Sequence, residues 1–206
     1  MASEITVIPR RATDRPAPDD EPLPNDPMLA RGTAAPEWTL AELADSATWS
    51  RTIREESARV ARFGHPVTVV MAELPRLDVV IDRFGRGVGD RIATEAAHLL
   101  ASEGRESDRL AWLGDAQFGV LLLETGEMSA GHYVERVRTA TDGWLESTGL
   151  SIRLSLGWAS PGEGGDVMAA AATAKQRMHD ADRRSMPSPR PRGRSERRPH
   201  DPAADQ

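Results

Sequence analysis

The sequence predicts an α/β (α+β) fold in which a mixed central sheet carries helices on its faces. Three observations indicate it: short apolar runs rich in β-branched residues, longer segments of helical periodicity between them, and a tight turn at Gly114 that joins two runs. Strands interleaved with helices form a sheet between helical layers. A hairpin within that order makes the sheet mixed rather than purely parallel.

Composition divides the chain into four segments. Seven of the 15 prolines precede residue 37 and five follow residue 186. Because proline removes a backbone donor and fixes φ, we expect a disordered arm over residues 1–37 and a disordered basic tail over residues 185–206. Between them we expect N-terminal connector helices at 38–64 and a folded domain at 65–184.

Charge and residue content limit the classes of partner. The net charge is −6, whereas residues 183–206 carry seven arginines against three acids. An acidic domain with a solvated basic tail is not typical of nucleic-acid-binding folds, so no nucleic-acid partner is expected.

The chain has no cysteine, no apolar run of membrane-spanning length and no secretory leader pattern, which together predict a cytoplasmic protein.

Capping signals and apolar periodicity predict the first helices. Thr39–Glu42 has the capping-box spacing that starts a short helix. A longer helix is predicted over Ser46–Phe63, with Gly64 as its left-handed cap. The apolar residues of one helical face are Trp49, Ile53, Val60 and Phe63. This face packs either on a dimer or domain partner or on the domain itself, and the sequence leaves both alternatives open.

The domain then reads strand, helix, helix, strand, strand, helix, strand, helix. Val67–Glu73 is short and β-branched, which predicts a buried strand. Leu77–Phe84 is predicted as a short helix and Asp90–Ser102 as a longer one, because their apolar residues recur at helical spacing. Gly85–Gly89 is predicted to be a glycine-rich turn between them.

A hairpin and two further helices complete the order. Its strands begin at Arg109 and Gln117, and Gly114-Asp115 is predicted as the turn because both residues tolerate positive φ. A helix is predicted over residues 128–145. Alternating apolar residues at 152–158 predict a strand, and an alanine-rich helix follows from Asp166, an acid that suits a helix N-terminus.

Four segments in this order resemble the GGDEF domain of diguanylate cyclases, a nucleotidyl-cyclase fold. Residues 62–70 resemble the entry to the family's first strand, and residues 82–90 resemble its Asn-Asp-x-x-Gly-His-x-x-Gly-Asp segment. Arg105-Glu-Ser-Asp108 resembles the Arg-x-x-Asp that often precedes the signature, and residues 155–159 resemble the Ser-x-Gly-x-Ala strand. The resemblance covers about residues 51–183 and implies the family's mixed sheet behind a connector helix.

The resemblance implies an activity whose metal ligands are altered here. Family members join two GTP molecules into cyclic di-GMP, and each half-site needs two magnesium-binding carboxylates. The signature aligns with residues 114–118, so Ala116 stands at a metal carboxylate and Gln117 at the glutamate that follows it. Neither a methyl group nor a neutral amide supplies the missing charge. Glu73 aligns with the other metal acid and is a vestigial ligand. Asp115 is interpreted as a turn residue, and the alternative is a displaced metal ligand one residue early.

Other nucleotide-binding positions depart from the family as well. Ile81 aligns with the guanine-reading asparagine and cannot hydrogen-bond a base, whereas Asp90 retains the other guanine-binding position as a weak vestigial contact. Three further positions of the motif, normally acid, lysine and histidine, align with Pro75, Asp78 and Arg86. We therefore expect a degenerate domain with no catalytic residues, no bound metal and no cofactor. Magnesium would enter only with residual nucleotide binding.

The constellation that survives is Arg105-x-x-Asp108, which in the family forms an inhibitory product site. A guanidinium fork suits a phosphate or guanine's acceptors, and a carboxylate accepts from guanine's donors. The resemblance thus implies a catalytically inactive regulatory module that binds cyclic di-GMP through Arg105 and Asp108. In the alternative interpretation, Arg105 is solvated and Asp108 bonds the backbone of a connecting loop.

Two other functions stay open at this point. One is a nucleotide-independent scaffold that binds a protein partner. The contact would be made by the first long helix, by the altered nucleotide site or by the terminal segments. The other is an active diguanylate cyclase that makes cyclic di-GMP from GTP. Assembly as a homodimer is compatible with each of these functions.

Overall fold

The computed structural model describes residues 6–7, 39–150, 152–162 and 164–185. Strands in these ranges form one sheet, and they are β1 (Thr6–Val7), β2 (Val67–Glu73), β3 (Arg109–Gly114), β4 (Gln117–Leu123) and β5 (Ser155–Ala159). The strand order is β1-β3-β4-β2-β5. β1 runs parallel to β3 and the other neighbours are antiparallel, so the prediction of a mixed sheet is confirmed.

Helices cover both faces of the sheet, and they are α1 (Ser46–Phe63), α2 (Leu77–Phe84), α3 (Arg86–Ser102), α4 (Glu127–Ser147) and α5 (Val167–Ser185). The core beneath α2, α3 and α4 contains Val70 and Phe118. The core beneath α1 and α5 contains Val69 and Leu121. Successive side chains of a strand point to opposite faces, so β2 and β4 are apolar throughout because helices cover them on both sides.

The inner face of α1 packs on the sheet of its own domain. Trp49 and Ile53 are buried in the core that α1 shares with α5. The Trp49 indole lies over Gly119 of β4, where a Cβ atom would come within 2.6 Å of the ring. For Trp49 and Ile53, the structure shows packing on the domain itself. Before α1, the predicted capping box of Thr39 and Glu42 closes a single 3-10 turn rather than an α-helix.

The C-terminus of α1 follows the predicted cap but not the predicted burial. Gly64 has φ 69°, and its N–H donates to the Val60 carbonyl oxygen at 2.8 Å. Phe63, predicted on the same helical face as Trp49 and Ile53, does not share their packing on the domain, because it is 68% exposed. The Arg62 guanidinium lies 5.1 Å from the Phe63 ring centroid, so the ring is covered on one side by a neighbouring cation rather than by the sheet.

The close approach of α5 to β5 depends on Gly157. A Cβ atom there would lie 2.2 Å from the Met178 backbone nitrogen and 2.3 Å from the Ala174 carbonyl oxygen. β5 begins at Ser155, so residues 152–154 of the predicted strand lie before it. Helices cover both of its faces, so Ser155 and Gly157 are buried together with Leu156, which points to the opposite side.

Two further boundaries differ from the prediction. α3 begins at Arg86, so only Gly85 remains of the predicted turn over Gly85–Gly89. Thr6 and Val7, predicted to be part of a disordered arm, pair with Arg109 and Leu110 of β3. The remaining predictions for residues 1–5, 8–37 and 186–206 lie outside the described residues. Among the helices that are described, none is long and apolar enough to cross a bilayer.

Candidate functional site

The tip of the β3–β4 hairpin carries the altered signature. Its two-residue turn is Asp115-Ala116, one residue later than predicted, and φ is 47° and 60° at these residues. Positive φ at both central positions is typical of a type I′ turn, which matches the twist of the strands. Alanine is strained there by about 1–2 kcal/mol. The Ala116 carbonyl accepts from the Leu74 N–H at 3.1 Å, which fixes the turn against the end of β2.

Glu73 lies at the end of β2, directly across from Gln117 in the ladder. Its Oε1 accepts from Gln117 Nε2 at 3.2 Å, and its Oε2 lies 3.5 Å from His179 Nδ1 of α5. Both carboxylate oxygens therefore have a protein partner. The structure brings Glu73 and Gln117 together and places His179 of α5 beside them.

The donor set at this tip does not fit the magnesium that the family resemblance implies. Mg²⁺ takes near-octahedral oxygen ligands and is held by one or two carboxylates together with substrate phosphates. Glu73 is the only one of the two aligned positions that has a carboxylate, and Ala116 has no donor atom in its side chain. Within the described ranges, no group of three or more His, Cys, Asp or Glu side chains could hold a metal ion.

The position that reads guanine in the family is closed by an apolar contact. Ile81 packs directly over Gly89 of α3, where a Cβ atom would lie 2.3 Å from Ile81 Cγ1. This contact replaces a polar side chain with a hydrocarbon that offers no hydrogen bond. Asp90, the retained position, is exposed one residue further along α3. The other altered positions are half-buried Pro75 and two exposed residues, Asp78 and Arg86.

The Arg105–Asp108 loop lies at the other end of the hairpin. Asp108 precedes β3, whose six residues separate it from the tip by about 20 Å at the usual rise per residue. Asp108 is buried, with Oδ2 accepting from the Arg105 N–H at 2.8 Å and Oδ1 from the Leu123 N–H at 3.0 Å. Burial raises the pKa of this carboxyl, outweighing the two N–H groups and the charges of Arg105 and Arg109. Asp108 thus bonds the backbone, as in the alternative interpretation.

Replacing Asp108 by asparagine is expected to destabilise the fold by about 1–3 kcal/mol, because one buried N–H then faces an amide donor. A carboxyl whose pKa is raised on folding adds stability below the ordinary aspartate pKa of about 3.9 and loses that increment as pH rises through the raised value. The deficit of the asparagine variant should therefore be largest in acid and should shrink as pH increases.

Urea unfolding of both proteins from acidic to neutral pH measures this deficit. Asp90→Asn is the matched control, since Asp90 is exposed and its removal should leave stability within about 0.5 kcal/mol. Equal stability of Asp108→Asn and wild type at every pH would contradict a structural role for Asp108.

Arg105 is exposed, and sequence reasoning missed a second arginine, which contacts the residue that begins this loop. Arg136 of α4 donates from Nε to Glu103 Oε2 at 2.9 Å and from Nη2 to the Glu103 carbonyl oxygen at 2.8 Å. Glu103 follows α3 and lies two residues before Arg105. Tyr133, one turn earlier on α4, is buried and donates to the Leu100 carbonyl oxygen at 2.7 Å. The loop is therefore anchored to α4, and no spacing in the sequence links these distant residues.

Comparison with known proteins agrees with this architecture. The family profile described as diguanylate cyclase, GGDEF domain, matches residues 39–186. The probable diguanylate cyclase DgcE of Escherichia coli (strain K12) is 32% identical over 103 residues, which are 50% of this chain and 9% of DgcE. Diguanylate cyclase SiaD of Pseudomonas aeruginosa, solved in complex with its activator SiaC, is 27% identical with a TM-score of 0.59, covering 68% of this chain and 55% of SiaD.

A further solved structure shares the fold alone. The GGDEF domain of DgcB from Caulobacter crescentus, solved in complex with c-di-GMP, is 15% identical with a TM-score of 0.63 over 75% of this chain and 94% of that domain. The chain thus spans less than a tenth of DgcE and about half of SiaD. The profile match, however, includes every element from α1 to α5 and both ends of the hairpin. The chain belongs to the GGDEF domain family of diguanylate cyclases.

Proposed function

We propose that this chain is a GGDEF domain that has lost the synthesis of cyclic di-GMP and acts as a regulatory module that binds the dinucleotide through the Arg105 loop. The observation that carries the first half is the hairpin tip. Ala116 replaces a metal carboxylate, and the remaining acid, Glu73, is engaged by Gln117 and His179. Removing one preorganised charge-stabilising group typically costs about a hundred- to a thousand-fold in rate.

The base position supports the same proposal independently. The Ile81 side chain occupies the space above Gly89 and offers no hydrogen bond to a guanine edge. A binding site selects a ligand strongly when the site has polar groups that hydrogen-bond to it. A site without such a group binds guanine with little preference over other bases. Loss of the metal carboxylate and loss of the base contact therefore act on different parts of GTP, and their effects on its binding combine.

The second half of the proposal depends on the arginines near the Arg105 loop. Arg105 is exposed, and Arg136 is held beside Glu103 through two hydrogen bonds. A guanidinium donates two parallel hydrogen bonds to a phosphate, which suits the two phosphodiesters of cyclic di-GMP. In this arrangement Asp108 orients the loop and Arg105 makes the contact. The role assigned to Asp108 is thus positional.

Calorimetry with cyclic di-GMP tests the receptor directly. We expect saturable heat with wild type and an affinity at least about tenfold weaker for Arg105→Ala, since a charge-assisted hydrogen bond contributes about 1.5–3 kcal/mol. Arg83→Ala removes an exposed arginine from a different surface and should bind like wild type. Absence of heat with wild type, or an unchanged affinity for Arg105→Ala, would remove the receptor from consideration.

A nucleotide-independent scaffold is the second candidate, and one observation favours it. Both oxygens of Asp108 already accept backbone N–H groups, so the carboxylate that would read guanine is occupied. SiaD was solved in complex with its protein activator, SiaC. By analogy with that complex, we propose that this chain binds a protein partner. Pull-down with the full chain and with forms lacking residues 1–37 or 186–206 would show which segment a partner needs.

A further inference from the structure

A groove beside α2 combines exposed apolar side chains with two arginines. It has a volume of about 290 Å³ and lies between α2 and the loop that connects α4 to β5. Its floor is formed by Val80 and Ile152, which are buried, and its rim by Val79 and Phe84, which are 48% and 47% exposed. Large apolar side chains at the rim of a groove with polar neighbours are typical of interaction sites.

The two arginines line this groove from the start and from the second turn of α2. Val79, Val80 and Arg83 belong to the helix, and Arg76 is the N-cap residue that precedes it, with its backbone in the left-handed region at φ 65°. Seven residues at the helical rise span about 10 Å, so the backbones of Arg76 and Arg83 lie about two turns apart, on either side of Val79 and Val80. Gly149 lines the opposite side, where a Cβ atom would meet nothing within 4 Å, so the groove is open on that side.

Neither arginine is neutralised within the part of the chain that the structure describes. The ion pairs found there involve neither Arg76 nor Arg83, and no carboxylate lines the groove. The Arg83 guanidinium lies 5.2 Å from the Phe84 ring centroid, which holds it beside the apolar rim. Asp78 and Asp82 belong to α2 but not to the groove lining.

Charge selects the occupant. The groove presents two cations, so a second copy that docked groove to groove would bring like charges together. At physiological ionic strength, charges further than about 8 Å away are largely screened, so the charges close to the groove decide what it attracts. Arg76 and Arg83 line the groove, whereas the exposed acids of α2, Asp78 and Asp82, lie outside its lining. An acidic segment therefore fits this groove better than a second copy of the chain.

We propose that this groove binds an acidic amphipathic helix of a partner protein. One or two large apolar side chains of that helix enter between Val79 and Ile152. Carboxylates two turns apart on the same helix then pair with Arg76 and Arg83. This is recognition of a helix in a groove through apolar anchors, with the flanking charges setting its direction.

The probe is a fluorescent helical peptide with leucines between two glutamates placed two turns apart, titrated with the full chain and followed by anisotropy. A matched peptide has lysines in place of the glutamates. We expect the glutamate peptide to bind and the lysine peptide to bind at least about tenfold more weakly. Arg83→Glu should reverse this preference, and Phe84→Ala should weaken both peptides without changing the preference.

Arg105→Glu is the control variant, because it alters an exposed arginine outside the groove and should leave the preference unchanged. The same variant abolishes cyclic di-GMP binding if the proposed receptor function holds. Peptide binding therefore tests the groove, and cyclic di-GMP binding tests the receptor, so either proposal can be contradicted without the other. Equal affinity for both peptides, no binding of the glutamate peptide at millimolar protein, or an unchanged preference in folded Arg83→Glu would overturn the proposal.

Discussion

Replacing Gly157 by alanine is expected to destabilise the domain by more than about 3 kcal/mol. Its Cβ atom would lie 2.2 Å from the Met178 nitrogen and 2.3 Å from the Ala174 carbonyl oxygen. Both are backbone atoms of α5, so no side-chain rotation relieves the clash and the whole helix must move. Overpacking of a core usually costs about 1–3 kcal/mol, and a clash with backbone belongs at or above the top of that range.

Urea unfolding measures this loss, and Gly131→Ala is its control. In Gly131→Ala the added Cβ meets only the Trp158 ring, at the ordinary contact distance of 4.0 Å. Because Gly131 lies within α4, alanine should leave stability unchanged or raise it by up to about 1 kcal/mol. A loss below about 1 kcal/mol for Gly157→Ala would contradict the close packing of α5 on β5.

The same packing explains how α5 reaches the hairpin tip. Met178 is fully buried against β5, and the next residue along the helix, His179, then lies beside Glu73. A helix displaced by a side chain at Gly157 would carry His179 away from that carboxylate. Gly157 therefore contributes both to stability and to the geometry of the altered site.

Much of the fold follows from local patterns in the sequence. The bounds of α1, α2 and β2 are those predicted, because apolar periodicity and the cap at Gly64 act within a few residues. The start of α3 was not predicted, since glycines at 87 and 89 favour a turn by about 1 kcal/mol each. Tertiary packing overrides that preference, because Ile81 fits against Gly89.

Less of the candidate site follows from sequence. Alignment of the signature identified Ala116 and Gln117, since both lie in a local hairpin pattern. The contact between Glu73 and His179 joins residues far apart in the chain, and no spacing indicates it. The burial of Asp108 was also beyond sequence reasoning, because Leu123, one of its two donors, comes from the far strand of the hairpin.

Restoring three altered positions together is expected to strengthen magnesium-dependent binding of GTP. The variant combines Ile81→Asn, Ala116→Asp and Gln117→Glu. It returns a base contact and two carboxylates, and each charge-assisted contact contributes about 1.5–3 kcal/mol. We expect GTP affinity in magnesium to rise at least about a hundredfold over wild type in equilibrium binding.

The restored carboxylates also change how magnesium affects stability. Glu73 and residue 117 are direct cross-strand partners, and like charges at such positions destabilise a sheet. Gln117→Glu should therefore lower the melting temperature without metal, and magnesium should recover it in the triple variant. Ala116→Gly is the matched control, because it relieves the positive φ at this residue but adds no ligand. It should stabilise the fold and leave GTP binding unchanged.

The wild-type arm of this experiment decides the question of activity. Incubation of wild type at high concentration with GTP and magnesium, followed by chromatography, should yield no cyclic di-GMP, because one aligned carboxylate is missing and the other is engaged by Gln117 and His179. Formation of cyclic di-GMP by wild type would establish an active cyclase and would contradict the proposed loss of synthesis. A folded triple variant that binds GTP no better than wild type would instead show that restoring these three positions is not sufficient for GTP binding. Pro75, Asp78 and Arg86 would then be the next positions to restore.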